Sequence, residues 1–130
     1  MTGIATLSPD LLFASADASV RFAEACLEPV AEGRLRARST FVDPGGAVMH
    51  WHDFGDLEGP GWAANAVGGA HLLYRWGAYT RDAALQNRAL QLLAHVMEDG
   101  FIRDDGFVWP YYDLARGSFC LNYSHTNDWL

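Results

Sequence analysis

The chain has 130 residues, half of them hydrophobic, with a formal net charge of −7. That length suits a single domain, 1–130, or a piece of a longer one, and excludes several domains. The acidic balance argues against nucleic acid, whose phosphates require a basic face, and no apolar run of about eighteen residues is present to span a bilayer.

All nine basic residues are arginines, and they are scattered along the chain. The opening stretch, MTGIATLSPDLLFASADASV, lacks the positive start of a secretory signal, so the expected compartment is the cytoplasm. Cys26 and Cys120 stand far apart in no metal-like spacing, which reads as free buried thiols.

Ser8-Pro9-Asp10 is a helix start: a capping hydroxyl, a proline at the first helical position, and an acid near the positive helix end. The helix is expected to reach about Leu27, packing through Leu12, Ala16, Val20, Ala23 and Leu27, with Pro29 kinking or ending it. From Arg34 to Phe54 the apolar pattern alternates around Asp43-Pro44-Gly45-Gly46, which predicts a β-hairpin or a long two-stranded loop. The glycine- and proline-rich Asp56–Gly61 then connects into the next unit.

Residues 61 to 101 read as two helices with a short turn. Trp62, Ala66, Gly69, Leu73 and Trp76 share one face, and Leu85, Ala89, Leu92, Leu93 and Val96 share another. Thr80 or Asp82 can cap the second helix, and Gly100 ends it, so the pair forms an antiparallel αα-hairpin. Gly68 and Gly69 lie inside the first helix, where small residues let backbones approach. After it, Asp104-Asp105-Gly106 predicts a second small hairpin and Arg116-Gly117 a further turn. The closing residues end on Trp129 and Leu130 without a polar tail, which reads as a cut end. A helical unit followed by a loop of aromatics and acids occurs twice, a pattern of stacking repeats. The fold class read from this order is mainly α: αα-hairpins with short β-hairpins in the connections.

The segment LLYRWGAYTRDAALQNRALQLLAHVMEDGF resembles the helix pair of six-hairpin (α/α) toroid glycosidase-like proteins, through Leu73, Tyr74, Asp82, Leu85, Ala89, Leu92 and Gly100. Asp104-Asp105-Gly106-Phe107 is similar to the loop that follows in that family. The resemblance covers roughly residues 61 to 113 and implies the N-terminal portion of a toroid, since a complete one holds more hairpins than this chain supplies. It further implies a carbohydrate substrate and a glycoside hydrolase or related enzyme without a cofactor. A homo-oligomer, or association with the missing remainder of the domain, would then cover the helix faces.

Glycoside chemistry uses two carboxyl groups, one protonated and one ionised, with flat aromatic faces to hold sugar rings. Asp113 and Asp128 are the acid/base candidates, Trp109, Tyr112 and Trp129 the stacking residues, and His52 and Asp53 the polar contacts. Each aspartate also suits the plainer role of turn former. His50 and His52 would share one face of a strand and can offer a metal two imidazoles, with Asp53 or Asp56 adding oxygen, although the spacing of a third ligand is not diagnostic. No phosphate loop and no Gly-x-Ser-x-Gly elbow is present. From another functional class, the same aromatics suit a non-enzymatic αα-repeat interaction or self-association module.

Overall fold

The computed structural model describes residues 8–38, 41–42, 48–49, 57–61 and 65–121. In order, the elements are α1 (Pro9–Ala25), β1 (Leu27–Ala31), β2 (Arg34–Ala37), β3 (Phe41–Val42), β4 (Val48–Met49), β5 (Leu57–Glu58), α2 (Ala66–Thr80), α3 (Ala83–Glu98), β6 (Tyr111–Asp113) and β7 (Ser118–Cys120). Among the described residues, three helices combine with a two-stranded sheet, β1–β2, and a three-stranded sheet in the order β5–β6–β7, while β3 and β4 form a further two-residue pair. All the pairings are antiparallel.

This is an α+β mixture, and it overturns the expected mainly α, toroid-like fold. Among the described residues there is one αα-hairpin, α2–α3. The physical reason lies in the flanking chain, whose backbone groups pair between strands instead of along further helices. β1, for example, follows α1 after a single residue, because Cys26 closes the helix by donating its N–H to the Phe22 and Ala23 carbonyls. Pro29 therefore sits in a strand of a two-stranded sheet, where a missing N–H is tolerated. The register slips between Pro29 and Ala31.

At its start α1 follows expectation, with Ser8 Oγ accepting from the Leu11 N–H at 3.2 Å. Its inward stripe does not. No α1 residue is buried, and Leu12 is 52% exposed, while Val20 only flanks the core.

The α2–α3 hairpin carries the core. Ala66, Ala70, Leu73 and Gly77 are buried from α2, and Leu85, Ala89, Leu92, His95 and Val96 from α3. Leu27, Leu35 and Phe101 close over them. Each fully buried leucine contributes about 1.5–3 kcal/mol relative to exposure. Asp82 is the cap of α3, its Oδ1 accepting from the Leu85 N–H at 2.9 Å, and Thr80 instead donates its hydroxyl to the Trp76 carbonyl. α2 begins at Ala66, and Trp62, expected on its apolar face, lies outside the described residues. The close helix–helix approach is at Gly77, and not at Gly68 or Gly69: a Cβ on Gly77 would lie 2.8 Å from Gln86 Cγ and 2.9 Å from the Asp82 carbonyl oxygen.

Beyond α3, Gly100 takes the left-handed φ of +94° that stops the helix. Ile102 and Val108 bridge across the Asp104-Asp105-Gly106 turn, as the sequence predicts. β6 and β7 pair Tyr112 with Phe119 across the Arg116-Gly117 turn.

Candidate functional site

Of the residues that the sequence nominates, Asp113, Trp109 and Tyr112 are described. Asp128, His52, Asp53 and Trp129, together with His50 and Asp56, lie outside the described residues. Trp109 and Tyr112 are brought together by Phe119, which stacks on Trp109 (5.9 Å between centroids, 19° between planes) and meets Tyr112 edge-on at 5.0 Å. Both flank the core. Asp113 ends β6, and its carboxylate is held locally. Oδ1 accepts from the N–H groups of Ala115 and Arg116, each at 3.0 Å, and Oδ2 lies 3.5 Å from Arg116 Nε. These are the bonds of a turn-forming aspartate. Among the described residues, no cluster of three or more His, Cys, Asp or Glu is arranged to hold a metal.

A second cluster was not legible in the sequence. His95 projects from the last turn of α3 with 7% of its side chain exposed. Its Nε2 is 2.9 Å from Oε2 of Glu58 in β5, and its Nδ1 is 2.7 Å from Oδ2 of Asp99. Arg34 of β2 pairs with Glu98 and approaches Asp99 at 3.6 Å. Burial disfavours the charged imidazole, but the hydrogen bonds to Glu58 and Asp99 and the attraction of both carboxylates outweigh it, so the His95 pKa is raised above its ordinary value. The one available signal was a histidine on the apolar stripe of α3. Nothing local names Glu58, which the sequence places in a turn-rich connection.

The third feature is on the surface. Phe13 of α1 meets Trp76 and Tyr79 of α2, at centroid distances of 5.1 and 6.2 Å, and Trp76 and Tyr79 lie 5.6 Å apart. Phe13 is 45% exposed and Tyr79 72%. The periodicity that puts Trp76 near the core is right in part, since it is half-buried and packs against the core. Trp76 donates its indole N–H to Asp17 at 3.0 Å, and Arg21 joins Asp17, Glu24 and Asp82 in a charged border. The Leu85 amide, and then Arg21, hold the Asp82 carboxyl below its usual pKa. On the other side of the hairpin, Val67, Tyr74, Ala89, Leu90 and Leu93 line an open apolar groove of about 300 Å³.

Among the described residues, no helix is long and apolar enough to cross a bilayer. No protein family, no curated protein and no solved structure matches the chain.

Proposed function

We propose that the chain is an interaction module that self-associates through the apolar faces of its helices. The observation that carries this reading is the connected aromatic patch of Phe13, Trp76 and Tyr79. Scattered exposed apolar residues are ordinary on a protein surface, whereas a contiguous patch with a polar border has the anatomy of an interface. Tryptophan and tyrosine are also the residues that most often dominate binding energy. α1 strengthens the reading, because Leu11, Leu12 and Phe22 are all about half exposed along a helix with no fully buried residue. A second copy would offer the same surface in return, as a two-fold interface requires.

Light scattering over a concentration series tests this. The wild-type chain is expected to associate, and Tyr79→Glu and Leu72→Glu to shift it toward monomer. Both side chains are largely exposed, at 72% and 64%, so neither change removes core packing. A wild type that stays monomeric at every concentration overturns the reading.

A second reading, a carbohydrate-active surface, draws on Tyr112, next to Asp113 in β6, and on Trp109, which shares Phe119 with it. Aromatic faces next to a carboxylate are the elements of sugar recognition. Quenching of tryptophan fluorescence by sugars, and aryl-glycoside hydrolysis lost in Asp113→Asn, would support it. Absence of both would remove it.

A further inference from the structure

We propose that Glu58, His95 and Asp99 form a pH-operated clasp that holds the β5–β6–β7 sheet to the C-terminal turn of α3. The argument starts from donor counting. A neutral imidazole carries one N–H and one lone pair, whereas the imidazolium carries two N–H groups. Here each ring nitrogen faces a carboxylate oxygen, at 2.9 Å and 2.7 Å. Only the protonated ring donates to both. Once the proton leaves, one contact sets a nitrogen lone pair against a carboxylate in a site that is shielded from water.

The surroundings decide which contact weakens. From α3, Asp99 touches the ring and Glu98 stands next to it in sequence; from β2, Arg34 pairs with both of these acids. From β5, Glu58 touches the other nitrogen, and its backbone pairs with that of Arg38, whose guanidinium pairs with Glu28 of β1. The Phe101 ring packs edge-on at 5.6 Å and is uncharged. Asp99 keeps Arg34 as a cation and is 37% exposed. When the ring is neutral its single N–H therefore stays with buried Glu58, the Asp99 contact loosens, and the Glu58 contact falls from an ion pair to a hydrogen bond. Glu58 pairs with Tyr112 in the sheet and leads directly into Gly61, whose N–H bonds the Pro110 carbonyl at 2.8 Å. Loss of the ring proton therefore weakens the link between α3 and the edge of the three-stranded sheet. With the His95 pKa raised in the fold, the stabilisation is fully present below the ordinary histidine value of about 6.5 and is lost as pH rises through the raised value.

The test is nitrogen-edited NMR of the histidine side chains of the full chain, with thermal melts from about pH 5 to about pH 9, across the range where histidine titrates. His95 is expected to show two protonated nitrogens at neutral pH and to titrate above the ordinary histidine value. The wild-type melting temperature should fall by several degrees across that step, and His95→Gln should remove the fall while His71→Gln keeps it. Glu58→Gln, which preserves shape, should move the His95 midpoint down. A bare nitrogen on His95 at about pH 6 overturns the clasp, below the ordinary midpoint of the ring. So does a pH profile of His95→Gln parallel to that of the wild type. If His95→Gln does not fold, the wild-type spectra and Glu58→Gln decide alone.

Discussion

Glu58 and His95 stand 37 residues apart in the chain and 2.9 Å apart in the fold, both almost sealed from solvent. Removing one member of a buried charged pair leaves the other unmatched, which typically costs about 3–5 kcal/mol. An imidazole can escape part of that penalty by shedding its proton. Glu58→Ala is therefore expected to destabilise the chain by about 2–3 kcal/mol, near the cost of an unsatisfied buried polar group, as read from urea unfolding near neutral pH. Loss below about 0.5 kcal/mol, the scale of an ordinary surface change, would mean that the pair contributes little.

Two glycines of one helix should respond with opposite signs. Gly77→Ala drives a Cβ to 2.9 Å from the Asp82 carbonyl oxygen, which is backbone and cannot turn away. Overpacking of this kind costs about 1–3 kcal/mol. At Gly69 the same Cβ meets nothing within 4 Å, so Gly69→Ala should stabilise α2 by up to about 1 kcal/mol through helix propensity. Denaturant midpoints for the two variants check the pair directly.

At Asp113, a turn role and a chemical role predict different outcomes. The two amide bonds to Oδ1 survive in Asp113→Asn and vanish in Asp113→Ala. If the side chain serves the turn, the first change should be nearly neutral and the second should cost about 1 kcal/mol, the net worth of such hydrogen bonds. Unfolding curves read this, and any glycoside hydrolysis should be followed in the same preparations.

Self-association of a chain with net charge −7 brings like charges together. Added salt screens that repulsion, with a Debye length falling from about 10 Å at 0.1 M to about 3 Å at 1 M. The dimer fraction measured by sedimentation should therefore rise with sodium chloride. A fall would point to an interface held by ion pairs, such as those of Arg21, and not by the aromatic patch.

What the sequence by itself determined is local. Ser8 and Asp82 cap their helices because a short side chain reaches an amide three residues on, and this geometry needs no other part of the chain. Gly100 and the turn at Gly106 were legible for the same reason, as were the leucine stripe of α3 and the antiparallel hairpin. The tertiary structure decided everything that depends on distant pairing. Strand partners such as Leu57 with Asp113 leave no mark in either segment alone, so short hairpins in a mainly α fold were expected where a three-stranded sheet forms. Periodicity located an apolar stripe on α1 but could not say whether another element would cover it, and none of its residues is buried. His95 was visible on its helix while its partner was not. A hydrogen bond is a property of two positions in space, and only the folded chain brings Glu58 to the imidazole.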